Sequence, residues 1–381
     1  MYGLKQNFKA ANMHYEFYKD KVRDAIKARN TWWLEKRKKY TYLKKEGQDA
    51  RDFFEKCLNN DDYLKRLLCG KPDELLGFVQ DFMPGGNKSF FKAENVNAKK
   101  RLEDTEKSIL EQVESIEKKR KTGVLLTDKE KDLISERDRL LGVKGIDDSN
   151  CSISKVFVDV LYDELDKKKF VKNLNLRICP YCGRNYILNV NRDDRSIKPQ
   201  IDHFLPKGQF PFLAMSYYNL IPSCTVCNVD VKRETVPLND TYTVYRIPHP
   251  YSYSDEWKFI FKLNGIDIFS NIANGEDNIE IAYDGDLKVL DAHEKLFAIK
   301  SLYEQHNDLI YELIIRKQFW TSESVQQYYK NILGMKNELG SKMTLAILGY
   351  TEDPDEKGKR PFMKLLKEVS DYYDKLVEKG K

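Results

Sequence analysis

Two Cys-x-x-Cys pairs constrain this chain more than any other feature. Cys179-Pro180-Tyr181-Cys182 and Cys224-Thr225-Val226-Cys227 bracket residues 183–223. Each pair sets two thiolates on one tight turn, and two such knuckles complete a tetrahedral zinc site with ligand distances of about 2.3 Å. Cys179, Cys182, Cys224 and Cys227 are therefore expected to hold a structural Zn²⁺, because four sulfur ligands leave no open position for chemistry. A redox pair is the competing reading. It lacks support, since Cys-Pro-Tyr-Cys stands beside a second knuckle and outside any thioredoxin-like βαβ pattern. Cys57 and Cys69 have no partners at metal spacing and are expected to be small buried hydrophobes.

Between the knuckles, residues 200–204 (Gln-Ile-Asp-His-Phe) alternate as a strand that Pro206 ends, and Asn219-Leu220-Ile221 reads as a second strand. From Cys227 onward the pattern is helical and carries Asn228 and Lys232. Strand, loop, strand and helix, pinned at both ends by zinc, make a ββα unit with His203 directed at Asn228. These residue types suit phosphodiester hydrolysis. A histidine with a pKa of about 6.5 can take a proton from the attacking water. Asp202 and Asn228 offer hard oxygen ligands suited to Mg²⁺, with Mn²⁺ a workable substitute. Asn219 would hold the loop in register. Lys207 and Lys232 are candidate phosphate contacts, although a lysine on a solvated face reads the same way. Pro211-Phe212 and Tyr217-Tyr218 are expected to pack the small domain rather than line a groove.

Asp202-His203, Asn219 and Cys227-Asn228, framed by four cysteines, resemble the HNH (ββα-metal) endonuclease family over residues 176–235. The Asn-Leu-Ile-Pro-Ser-Cys-x-x-Cys-Asn run is similar to bacterial members especially. The resemblance implies that His203 is the general base, Asp202 and Asn228 bind the catalytic metal, and Asn219 orients. Asn228 stands where the family name has a histidine. A looser similarity, through Ile347-Leu348-Gly349-Tyr350 and Lys359-Arg360-Pro361, is to HNH proteins of bacterial anti-phage defence. It implies an antiviral endonuclease that cuts DNA, with RNA left open; a regulatory ATPase or sensor subunit is an expected partner, and self-association into a homo-oligomer an expected role of the flanking regions. A second reading of the same residues is a non-catalytic, zinc-stapled nucleic-acid-binding or scaffold subunit of a defence complex.

The remaining chain reads as α+β and mostly helical. A helical N-terminal domain is expected over 1–150, the nuclease module over 151–240, and a mixed strand and helix region over 241–381. Residues 5–46 form a basic helix in which Phe17, Val22, Ile26 and Trp33 recur at helical spacing. Its Trp32, Trp33, Tyr40 and Tyr42 interleave with Lys36-Arg37-Lys38-Lys39. Such a segment can grip a nucleic acid, or simply present a solvated lysine face. Residues 97–141 read as a helical hairpin, with a capping box at Thr127–Glu130. A helix over 154–170 leads into the module. Strands follow at 242–247, 257–263 and 279–283, then helices from Asp291, over 322–339, and after Pro361.

With 65 Lys+Arg against 60 Asp+Glu, the net charge of +5 neither demands nor excludes nucleic acid. No run of residues is long and apolar enough to span a bilayer. The N-terminal Met1-Tyr2-Gly3-Leu4-Lys5 lacks the apolar core of a signal peptide, so a cytoplasmic protein without a membrane partner is expected.

Overall fold

The computed structural model describes residues 3–39, 48–83, 125–134, 153–174, 176–191, 196–197, 199–263, 279–320, 340–351 and 358–379, with isolated positions in 112–119 and at 331, 353 and 356. Helices dominate: α1 Phe8–Lys39, α2 Gln48–Asn59, α3 Asp61–Cys69, α4 Pro72–Phe82, α5 Lys167–Leu174, α6 Leu287–Phe297, α7 Ile299–Tyr303, α8 Asn307–Trp320, α9 Gly340–Leu348 and α10 Met363–Lys379. Two further helices are π-wound, π1 Lys155–Tyr162 and π2 Val226–Lys232. Three antiparallel strand pairs complete the set: β1 Val190–Asn191 with β2 Ser196–Ile197, β3 Gln200–His203 with β4 Leu220–Ser223, and β5 Trp257–Leu263 with β6 Ile279–Gly285. The class is α+β, as the alternation of periods implies.

One contiguous core of buried side chains runs from Leu4 to Val369. The N-terminal helices pack directly onto the β3–β4 loop. His14 Nε2 lies 2.8 Å from the Met215 carbonyl, and Ser216 Oγ donates to the Leu67 carbonyl at 2.5 Å. At the other end, α10 closes over β5 and α8. The Phe259 amide donates to Glu368 at 2.8 Å, and Lys317 on α8 donates to the Ser370 carbonyl at 2.8 Å. Gly349, with φ of +80°, ends α9 in a left-handed turn where a Cβ would sit 2.8 Å from Leu366.

Several expectations need correction. Phe17 does not join the buried stripe of Val22 and Ile26; it is 52% exposed. Residues 242–247 do not form a strand. Tyr242 takes a φ of +57°, and the backbone folds into a turn held by Asn239, leaving one bridge from Leu238 to Tyr245. The helix expected over 154–170 divides into π1 and α5, because Asp166 turns its carboxylate onto the Lys169 amide at 3.0 Å and starts α5 afresh. Cys57 is fully buried as expected, whereas Cys69 is half-buried with its thiol donating to the Lys65 carbonyl. Thr127 and Glu130 form their capping box, with the Thr127 amide 2.9 Å from Glu130 Oε2. Most of the 97–141 hairpin, the 322–339 helix, and the side chains of Trp32, Trp33 and Lys36–Lys39 with Tyr40 and Tyr42 lie outside the described residues.

Three histidines away from the knuckles are buried in aromatic surroundings. Loss of water holds His14 down to about 4, and both His249 and His293 down to about 3. The unfolded chain takes up protons near pH 6.5, while the folded chain stays neutral at these sites until pH 3 to 4. Stability therefore falls as the pH drops through that window, by about 2 kcal/mol per histidine between pH 7 and pH 5. Urea midpoints measured at the two pH values are expected to show this loss, with His249→Phe reducing it. Equal midpoints would rule it out.

Candidate metal and active site

The four cysteine sulfurs lie within 4.8 Å of one another, and all four residues are buried. Tetrahedral zinc needs sulfurs roughly 3.8 Å apart, and Cys182 Sγ is 4.0 Å from Cys224 Sγ. The donor set and its compactness fit a zinc ion. Neighbouring thiols donating to Cys182 and Cys224 hold both below the ordinary thiol range, and the Asn185 amide adds to this at Cys224 from 3.4 Å. Burial pushes Cys179 up, and its neighbouring thiols push Cys227 up. Sulfurs crowded this closely and shielded from water are stabilised by a cation between them. The C-terminal helices close the first knuckle. Tyr303 donates to the Cys182 carbonyl at 2.6 Å, and the Tyr181 ring stacks on Phe297 with centroids 4.2 Å apart.

From this knuckle the hairpin follows. β3 pairs with β4 so that Asp202 faces Ile221 and His203 faces Leu220. The intervening loop is interior: Phe204, Leu205, Phe210, Phe212, Met215 and Tyr218 are all fully buried. The aromatics pack the domain, as their sequence context implies. Asn219, also fully buried, is the loop's internal brace. Its Oδ1 accepts from the Leu205 amide at 2.7 Å, and its Nδ2 donates to the Leu205 and Leu213 carbonyls, each at 3.0 Å. A buried asparagine with three backbone partners fixes the path of residues 205–213 and so the position of Ala214.

Ala214 in turn orients His203. Its carbonyl lies 3.1 Å from His203 Nε2 and can only accept, so Nε2 carries the proton and Nδ1 keeps the lone pair. Burial lowers His203 to about 3, with Lys207, Lys232 and Lys167 adding to the depression against the Ala214 hydrogen bond. This corrects the value of 6.5 assumed from sequence. The imidazole is neutral and a weaker base than an exposed histidine. Its ring packs 4.6 Å from Tyr162, whose other neighbours are Lys167 at 4.5 Å and Lys207 at 4.6 Å from the ring centre.

Asp202 carries two donors. Tyr181 Oη donates to Oδ2 at 2.6 Å, and Lys232 Nζ donates to Oδ1 at 3.1 Å and to the His203 carbonyl at 2.8 Å. Burial raises the Asp202 carboxyl, and Lys232 and Tyr181 pull it back toward ionisation. Lys232 is therefore not a phosphate contact: it is fully buried and bound to the Asp-His pair from below. Lys207 remains half-exposed. Asn228 stands half-buried on π2, one residue past Cys227, and its carbonyl accepts from the Arg233 amide at 3.1 Å in the long i+5 bond of a π-helix. Asp202 retains unused lone pairs and Asn228 an amide oxygen, so their donor types suit a hard divalent ion. The ammonium on Oδ1 opposes one. Tyr181, Tyr162 and the buried role of Lys232 were missed by sequence reasoning; only the position of Tyr181 inside a knuckle hinted at its part.

Two measurements check this site. Metal analysis of folded protein is expected to give close to one zinc per chain, with Cys227→Ser losing most of it; wild-type protein without zinc would overturn the assignment. Lys232→Met leaves the buried Asp202 charge unpaired and is expected to cost about 3–5 kcal/mol in urea denaturation. Adding Asp202→Asn should recover part of that loss, and a Lys232→Met protein of wild-type stability would contradict the pairing.

No family model and no solved structure matches this chain. Over 77 residues, 20% of its length, it is 32% identical to "Protein ea31" of Escherichia phage lambda. The match spans 22% of that protein, so the chain covers less than a quarter of the relative's length.

Proposed function

We propose that the chain is a metal-dependent endonuclease of the HNH type that hydrolyses DNA phosphodiester bonds. One observation carries the reading. His203 is pinned through Nε2 to Ala214 with its Nδ1 lone pair kept for a proton, beside a buried carboxylate on a hairpin anchored by four clustered cysteines. Asp202 and Asn228 are the residues that would hold a divalent ion, Mg²⁺ or Mn²⁺. When bound, such an ion stabilises the charge that builds on the phosphoryl oxygens and the leaving 3′ oxygen. Asn219 positions rather than reacts. His203 accepts a proton from water at Nδ1, and a bound phosphodiester anion beside the ring favours that step by raising the imidazole's proton affinity. The zinc has no part in the chemistry. Bacterial anti-phage defence, with an ATPase or sensor subunit as regulator, is the setting that the family resemblance suggests.

A second reading is a zinc-stapled, non-catalytic nucleic-acid-binding or scaffold subunit, and one observation favours it. The Lys232 ammonium already occupies the Asp202 oxygen that a divalent ion would seek.

Purified protein incubated with supercoiled plasmid and Mg²⁺ is expected to nick or linearise it, and EDTA to stop the reaction. His203→Ala is expected to slow cleavage by about 10²–10⁴-fold, the usual effect of removing a general base. Cleavage undiminished in His203→Ala would overturn the base assignment. Wild-type protein that binds plasmid without cutting it, with Mg²⁺ or Mn²⁺, would select the second reading.

A further inference from the structure

Three lysines on the way out from His203, Lys207, Lys167 and Lys169, stand outside the ion pairs of the described structure. Lys21, Lys232, Lys300, Lys317 and Lys364 each pair with a carboxylate. Lys9, Lys167, Lys169 and Lys207 form no ion pair among the described residues; Lys9 and Lys169 are exposed, and Lys167 and Lys207 half-exposed. Their placement is ordered. Lys207 and Lys167 cover the Tyr162 ring, at 4.6 and 4.5 Å, on the side chain that packs against His203. Two residues on, along α5, Lys169 reaches the Phe17 ring at 5.5 Å, and Lys21 approaches the same ring at 4.9 Å. Phe17 is 52% exposed and Met13 50%, and with Lys9, Asn12, Glu16 and Lys169 they line a shallow open groove.

Cations without counter-charges leading from a buried histidine to an exposed aromatic ring match a polyanion that also has flat apolar faces. Phosphates would neutralise the lysines, and an unpaired base would cover Phe17. A duplex keeps its base faces stacked inside, so the ring favours a single strand. Glu16, at the groove's edge, is held by Lys19, and Glu164 by Lys21, which reduces their repulsion toward the backbone.

We propose that a single strand of DNA runs from His203 across Lys207, Lys167 and Lys169 and stacks a base on Phe17. This rests on the endonuclease reading for its starting point, but binding alone tests it. In a His203→Ala background, which removes cleavage as a complication, Phe17→Ala is expected to weaken binding of a fluorescent single-stranded DNA oligonucleotide by about 5- to 150-fold, the loss typical of one stacked base. Lys167→Gln, Lys169→Gln and Lys207→Gln combined should lower the slope of log affinity against log salt by about 2, given about 0.7 counterions released per phosphate on single strands. Circular dichroism checks that the buried His203→Ala background, and the Phe17 and lysine variants built on it at exposed or half-exposed positions, remain folded. Affinities and slopes unchanged in folded variants would overturn the track, and so would RNA of the same sequence binding as tightly as DNA or more so. Failure of the endonuclease reading appears separately, as wild-type protein that binds the oligonucleotide with these dependences yet never cleaves it.

Discussion

A buried ammonium holds the centre of this molecule together. Lys232 reaches back from π2 to the Asp202 carboxylate and the His203 carbonyl, so the helix after the second knuckle is tied to the strand that carries the acid-histidine pair. Charges taken out of water are costly unless each finds its partner. Asp202 has two, Lys232 and Tyr181, and Tyr181 belongs to the first knuckle. The carboxylate thus joins three segments that are far apart in sequence: the cysteine turn near 180, the strand at 202 and the helix at 232. Asn219 performs a similar task for the loop, through backbone groups alone. The position of His203 is a consequence of both.

This arrangement separates two kinds of demand. The four cysteines need only proximity, and their buried cluster fits one soft metal ion. The proposed hydrolytic site needs an oriented lone pair and oxygen donors. The Ala214 carbonyl provides the orientation by selecting the tautomer. The oxygen donors are present in kind, yet Asp202 is shared with a cation. Under the proposed function, the ammonium on this carboxylate is what a divalent ion would have to displace.

Knuckle spacing is local chemistry, so Cys179, Cys182, Cys224 and Cys227 were legible directly, and period-two alternation located β3. Lys232 was misread because nothing in a sequence tells a lysine on a solvated helix face from one turned inward to a carboxylate; the distinction comes from how π2 packs on β3. Phe17 failed for the opposite reason. It lies five and nine residues from Val22 and Ile26, which puts it on the far side of the helix from their buried stripe. The pKa of His203 depends on burial by a loop whose closure rests on Asn219, a tertiary fact. Residues 242–247 alternate like a strand but pair only through the Leu238–Tyr245 bridge among the described residues, so the Asn239 turn prevailed.

The contact between Tyr303 and the Cys182 carbonyl spans 121 residues, and Phe297 stacks on Tyr181 across a similar interval. A growing chain that has just emerged from the ribosome with its hairpin and all four cysteines still lacks the side chains that seal the first knuckle. Tyr181, the donor to Asp202, is then open to water on the face that Phe297 will cover. The hairpin therefore completes its packing only after residues 297–303 have followed it. The order of translation itself delays the maturation of the site.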